Sequence, residues 1–261
     1  MQLREKELQV EGGRLFVEEI GEGPTVLLLH AGVTDRRVWD LAVPVLASSY
    51  RVIRYDMRGY GRSPRATAPF SLVADAVAVL DQFEADTAHV VGLSQGAATA
   101  VDLALARPER VRSLALVAPG LSGFDWPQLP GYGERLAAAE QGDTAALAAG
   151  IARLWAPMSF GADGKLGDDL AAQMVRDHTD LFLLDELEVE QPSAVDRLKE
   201  ITVPTVVVLG ARDVDAITTI GTLLESSING ARKVVLPDAD HILPLRMPDE
   251  FHAVLLEHLA S

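Results

Sequence analysis

The chain contains no cysteine, which removes disulfides, thiolate metal centres, iron–sulfur clusters and a cysteine nucleophile together. Long apolar runs are missing as well: stretches such as 26–29 fall far short of the ~20 residues that a bilayer-crossing helix requires. Positive charge is scarce. With 23 Lys+Arg against 38 Asp+Glu the formal net charge is −15, so phosphate backbones and anionic lipid surfaces are repelled at long range. Neither a nucleic-acid nor a membrane partner is expected. Residues 1–8 mix charges of both signs without the apolar stretch of a secretory leader, which points to a cytoplasmic protein. No Gly-x-Gly-x-x-Gly follows the first strand and no Walker pattern occurs. Carboxylates such as Asp168, Asp169 and Asp185 come without paired-histidine or EF-hand spacing. Neither a cofactor nor a metal is expected.

What is present describes a globular protein. The 261 residues are 48% hydrophobic and 23% charged, enough for one large domain or one domain with an insert. Short β-branched runs at 15–20, 25–30, 51–56, 89–93, 113–117, 205–209 and 233–236 alternate with amphipathic stretches, the pattern of an α/β protein with a mostly parallel sheet. Leu72, Ala76, Val79, Leu80 and Phe83 recur at helical spacing. So do Phe251, Val254, Leu255 and Leu259, with Pro248 placed to open the last helix. The rhythm breaks over 121–199, where Pro127, Pro130, Pro192 and alanine-rich pieces at 135–140 and 144–155 predict an all-helical insert between two core segments, 1–120 and 200–261.

The local pattern richest in chemistry is Gly92-Leu93-Ser94-Gln95-Gly96, directly after a strand and directly before the helical stretch 97–106. Glycines on both sides of such a turn permit a tight backbone that lifts the serine hydroxyl above the sheet. A serine there can also be an ordinary helix N-cap. As a nucleophile it needs a base, and the base needs an orienting acid. Of the six histidines, His241 follows the last strand, and Asp213 follows the preceding one with Asp215 as its rival. The order Ser94, Asp213, His241 is that of a serine, acid, histidine set on a parallel sheet. His30 reads as a brace for its loop. His89 opens a strand, His178 falls among charges in the insert, and His252 and His258 lie on the last helix.

With His30-Ala31-Gly32, Trp39 and Asp56-Met57-Arg58-Gly59-Tyr60-Gly61-Arg62-Ser63 added, the chain resembles an α/β-hydrolase with a helical cap at 121–199. The resemblance implies a mostly parallel eight-stranded sheet and a cofactor-independent serine hydrolase. Ser94 would be nucleophile, His241 general base and Asp213 its partner. The backbone N–H groups of Gln95 and Gly32 would form an oxyanion hole, with Val33 the alternative to Gly32. Arg58 and Asp56 would be scaffolding. The expected substrate is an ester or lactone of a small, largely apolar molecule. Carbon–carbon bond or enol-lactone hydrolysis on the same triad, or a lyase or ligand-binding protein on the same scaffold, is the alternative. Within the insert, Trp126, Trp155, Met158 and Phe160 are the expected substrate-binding residues, alongside Phe124 and Phe182. Arg153 or Arg176 would be the anchor if the substrate carried a carboxylate. A monomer or homodimer acting on a small molecule is expected.

Overall fold

A computed structural model describes residues 2–183 and 187–261 of the chain. Asp185 lies outside the described residues, as does the side chain of Phe182. The described strands are β1 (Arg4–Val10), β2 (Gly13–Ile20), β3 (Thr25–Leu29), β4 (Arg51–Asp56), β5 (Ala88–Leu93), β6 (Val111–Val117), β7 (Thr205–Gly210) and β8 (Arg232–Leu236). They form one sheet in the order β1-β2-β4-β3-β5-β6-β7-β8. The β1–β2 and β2–β4 pairs are antiparallel and the remainder parallel. Strands β3, β5 and β7 are buried at every position, which is why they read as continuous Val/Leu runs instead of alternating ones.

Strand β1 escapes periodicity reasoning. Its sequence, Arg4 to Val10, is largely charged and exposed except at buried Leu8 and half-buried Val10, because it pairs on one side only and faces solvent at the sheet edge. Helices α1 (Val43–Leu46), α2 (Leu72–Gln82), α3 (Gln95–Ala106), α7 (Asp215–Ser227), α8 (Leu243–Arg246) and α9 (Pro248–Leu259) accompany the sheet. The last of these opens on Pro248, where a missing N–H costs nothing. Trp39 stacks on Phe251 at 6.1 Å between ring centres, tying the loop after β3 to α9 inside the core.

Between β6 and β7 the described chain forms α4 (Tyr132–Glu140), α5 (Thr144–Trp155) and α6 (Leu170–Asp177) and contributes no strand to the sheet. This helical segment is fastened over the carboxyl edge by polar contacts. His178 Nε2 meets Asp35 at 2.9 Å, Arg37 pairs with Asp177, and the Met158 N–H donates to Asp240 at 3.0 Å. Arg246 donates to Ser159 and pairs with Asp240 and Asp169. Among the described residues no helix is long and apolar enough to cross a membrane.

The carboxyl ends of β3 and β5, which pair through Leu29 and Gly92, lie side by side where the strand order reverses, the crevice in which open parallel sheets bind ligands. The first turn of α3 packs against the end of β3 only because residue 96 is glycine: a methyl group there would run into the carbonyls of Leu29 and His30. Gly96→Ala is therefore expected to cost about 2–3 kcal/mol in chemical denaturation, from overpacking against backbone that cannot move aside. Gly133→Ala, on the open face of α4 with nothing nearby, should be neutral or stabilising by up to about 1 kcal/mol.

Candidate active site

Ser94 sits between β5 and α3 with φ 56° and ψ −113°, a left-handed conformation that a residue bearing a Cβ rarely adopts. Three features hold it there. Its N–H donates to the Val117 carbonyl at 2.9 Å, and its own carbonyl accepts from Gly120 at 3.0 Å. Gly92 allows the turn to fold back on itself, since a Cβ there would collide with the Gly96 carbonyl. Although Ser94 occupies the N-cap position of α3, its hydroxyl makes no capping bond. It lines a cavity of about 240 Å³ together with Gly32, Val33, Tyr60, Gln95, Trp155, Leu181, Glu188 and His241.

His241 reaches this cavity from the loop after β8. Its Nδ1 lies 2.7 Å from Asp213 Oδ2, and Asp213 Oδ1 accepts from the Val214 N–H at 2.8 Å. Both side chains are about 1% exposed, so the pair is shielded from water that would weaken it. Asp215 instead begins α7 in an exposed position. The acid and histidine loops are stitched together by the Ala211 N–H to the Leu236 carbonyl and the Arg212 N–H to that of Ala239. Gly210 makes the approach possible, because a Cβ would meet the carbonyls of Ala239 and Asp240. With Nδ1 engaged, the ring nitrogen left for exchange with a group in the cavity is Nε2. Trp155 packs against the imidazole at 4.5 Å between ring centres.

The loop after β3 is braced from beneath. Fully buried His30 donates from Nδ1 to the Ala31 carbonyl and accepts at Nε2 from the Met57 N–H, both at 2.8 Å. Burial, partly offset by Asp56, pushes the imidazole below its ordinary range and keeps it neutral. Tyr60 donates to the Gly32 carbonyl at 2.8 Å. Asp35, farther along, would be raised by burial, but hydrogen bonds from His178 and Arg37 outweigh that and hold it below the usual carboxylate range. The N–H of Gln95 stands in the first turn of α3, where helix geometry supplies no intrahelical partner.

Arg58 and Asp56 take structural roles. Arg58 forms two 2.7 Å bonds to buried Asp75, and Asp56 accepts from the Arg36 and Arg62 N–H groups. The scattered carboxylates also have separate partners: Asp168 pairs with Arg176, while Asp169 caps α6 and accepts from Ser159.

The insert residues divide. Trp155 lines the cavity, whereas Trp126, Met158 and Phe160 are not among the described residues that do. Trp126 is 39% exposed against the edge of Phe124, Phe160 lies beneath the Arg153 guanidinium, and Met158 turns its backbone to Asp240. Arg153 and Arg176 are likewise absent from the lining. Sequence reasoning missed Tyr60, Leu181 and Glu188. For Glu188 a signal existed, the period-two alternation Leu187-Glu188-Val189-Glu190, which predicts an extended segment.

The profile of the alpha/beta hydrolase fold family matches residues 24–246. The chain belongs to that family. As a member of it, the protein is a hydrolase, and its eight-stranded, mostly parallel sheet is the one the resemblance implies. It is 31% identical to a pimeloyl-[acyl-carrier protein] methyl ester esterase of Aeromonas hydrophila, over 94% of this chain and 98% of that one. It is 26% identical to 3-oxoadipate enol-lactonase 1 of Acinetobacter baylyi, covering 92% and 91%. Among solved structures, Est816, described as an N-acyl homoserine lactone degrading enzyme, superimposes with a TM-score of 0.79 at 28% identity, covering 97% and 99%.

A neighbouring carboxyl adds a pH dependence to this family member. Burial pushes Asp102 on α3 up to about 6, against a hydrogen bond from Ser122 and the nearby Arg197 charge that both favour ionisation. Because its folded value lies above the unfolded one, the group favours the fold below about pH 4 and that contribution disappears as pH rises through about 6. Asp102→Asn keeps an acceptor for Ser122 and removes the titration. In thermal melts its stability relative to the parent should rise by about 1 kcal/mol between pH 4 and pH 8, a value discounted for partial solvent screening.

Proposed function

We propose that the protein is a cofactor-independent serine hydrolase that cleaves an ester or lactone of a small, largely apolar substrate. The observation that carries this reading is the strained Ser94 sharing one cavity with a histidine whose far nitrogen is held at 2.7 Å by a buried aspartate. Ser94 Oγ attacks the carbonyl carbon while His241 Nε2 takes its proton, and the Asp213 carboxylate holds the tautomer and stabilises the imidazolium. The carbonyl oxygen becomes an oxyanion received by the N–H groups of Gln95 and Gly32, donors worth ~3 kcal/mol each. Collapse expels the alcohol, which takes the proton from His241 and leaves an acyl-Ser94. A water then repeats the sequence and releases the acid.

The cavity size supports a substrate of modest dimensions, and Val33, Trp155 and Leu181 supply its apolar wall. Relatives named as a methyl ester esterase and an enol-lactonase act on acyl–oxygen bonds by name, and the structural neighbour Est816 is described as degrading a lactone-containing compound. The helical segment between β6 and β7 acts as a cap over the carboxyl edge, contributing Trp155 and Leu181 and limiting water around the acyl group.

On a short-chain aryl ester, Ser94→Ala and His241→Ala should each lower kcat by roughly 10⁴-fold or more, with the double variant little worse because the two act as one unit. Asp213→Asn should cost far more than Asp215→Asn. A larger loss from Asp215→Asn would refute the acid assignment. Trp155→Ala should shift kcat/KM between short-chain and bulky aryl esters by ~1–3 kcal/mol while fluorophosphonate still labels Ser94. An unchanged selectivity profile would remove Trp155 from the substrate wall.

A further inference from the structure

Two cavities meet at one side-chain bridge. Beside the cavity that holds Ser94 lies a second one of about 180 Å³, and both Gln95 and Glu188 line the two of them. Gln95 Nε2 donates to Glu188 Oε2 at 3.2 Å, so the residues shared by the two spaces are bonded to each other. The bridge is braced at both ends. On one side the Gln95 amide lies against the loop after β3, where a methyl group on Gly32 would run into its Oε1. On the other, Glu188 stands on an extended segment pinned to Phe70 by two backbone hydrogen bonds. The Phe70 N–H donates to the Leu187 carbonyl at 3.0 Å and the Val189 N–H to the Phe70 carbonyl at 2.8 Å. Alternation along this segment turns Leu187 and Val189 outward, at 37% and 49% exposure, and Glu188 inward.

The second cavity follows one face of α3, since Gln95, Ala98, Thr99 and Asp102 are spaced i, i+3, i+4 and i+7. Three of its polar side chains are already bonded within the protein. Thr99 donates to the Gln95 carbonyl at 2.9 Å, Ser122 to Asp102 at 2.6 Å and Gln191 to Ser71 Oγ at 3.2 Å, so none of them needs a bond from an occupant. Burial pushes Asp102 up to about 6, as in a poorly hydrated space. Leu72, Val73 and Ala98 supply an aliphatic wall, and the small side chain of Ala98 keeps the space open.

The leaving alcohol takes its proton from His241 Nε2 and therefore occupies the side of the first cavity where Trp155 packs on the imidazole. The acyl chain is the other substituent of the carbonyl carbon and runs away from His241, toward the bridge. We infer that Glu188, held on Gln95, is the stop that fixes acyl length: the bridge ends the acyl site, keeps the second cavity out of reach, and selects short acyl chains over long ones. This rests on the hydrolase reading above and names its substrate class.

The test measures kcat/KM on p-nitrophenyl esters from butyrate to octanoate. In the parent it should fall at least about tenfold along the series. Glu188→Ala removes the stop and should raise the octanoate-to-butyrate ratio about tenfold or more, since each methylene taken out of water is worth about fourfold. Glu188→Gln keeps the bulk and an acceptor for Gln95, and should leave the ratio within about twofold. Among the described residues Ala98 lines the second cavity and not the first, so Ala98→Leu fills only the far side of the bridge. Alone it should leave the parent's ratio within about twofold, and combined with Glu188→Ala it should cancel the gain. Ala98→Val takes its place if thermal melts show the larger side chain to unfold the protein. Butyrate esters of methanol through octanol should keep the parent's profile in Glu188→Ala.

A parent that prefers octanoate, a ratio indifferent to Glu188→Ala, or an equal response to Glu188→Gln would each overturn the assignment. So would a gain that survives the filled cavity, or one confined to the alcohol series. Binding of methyl butyrate and methyl octanoate to Ser94→Ala protein, followed by tryptophan fluorescence, separates the two readings. Tighter octanoate binding on adding Glu188→Ala, without turnover of any ester by the parent, would remove the hydrolase and keep the stop. Ser94-dependent turnover with a length profile indifferent to Glu188→Ala would do the reverse.

Discussion

Backbone pressed against backbone at the turn after β5 is the constraint on which the remaining architecture depends. Gly96 lies so close to the carbonyls of Leu29 and His30 that only a hydrogen fits, and Gly92 meets Gly96 in the same way. That contact docks the first turn of α3 onto the end of β3 and forces Ser94 into a conformation with φ 56°. The energy of this strain, of the order of 1–3 kcal/mol, is sustained by fully buried strands on both sides of the turn. Because β3 and β5 are neighbours, the loop bearing Gly32 and the N–H of Gln95 arrive at the same place without long connections.

A second close approach completes the geometry from the other side. The bare backbone of Gly210 lets the loops after β7 and β8 run against each other, and their hydrogen bonds set Asp213 and His241 within 2.7 Å. The histidine loop is also tied to the helical segment through Asp240, which accepts from the Met158 N–H and pairs with Arg246. Asp35 plays the corresponding part on the opposite flank, joining the loop after β3 to His178. Both flanks of the cavity are thus linked to the segment above it by buried carboxylates whose partners are charged or hydrogen-bonding groups, the arrangement in which such burial is tolerated.

Much of this was legible in the sequence because it is written in local patterns. The runs at 51–56 and 205–209 and the helical spacing of Leu72, Ala76 and Leu80 report burial within a few residues, and the elements formed where those patterns place them. The turn at Ser94 was equally plain, since the glycines that allow it are two residues away on each side. Strand β1 was hidden by its edge position, where burial leaves almost no alternation to detect.

What the sequence by itself determined is the alternating architecture, the identity of the serine turn and the order in which acid and histidine follow it. What only the tertiary structure decided is every relation between loops far apart in the chain. Residues 210–215 favour Asp213 over its rival Asp215 by the Gly-x-x-Asp spacing alone, and only the path of the β8 loop brings its carboxylate to His241. Trp126, Trp155 and Phe160 are equally apolar in sequence, yet only Trp155 emerges from a helix whose end abuts the imidazole. Glu188 turns inward because Phe70, more than a hundred residues earlier, sets the register of its segment. Local propensity acts over a few residues, whereas these choices follow from side-chain direction and loop packing, which exist only once the sheet has assembled.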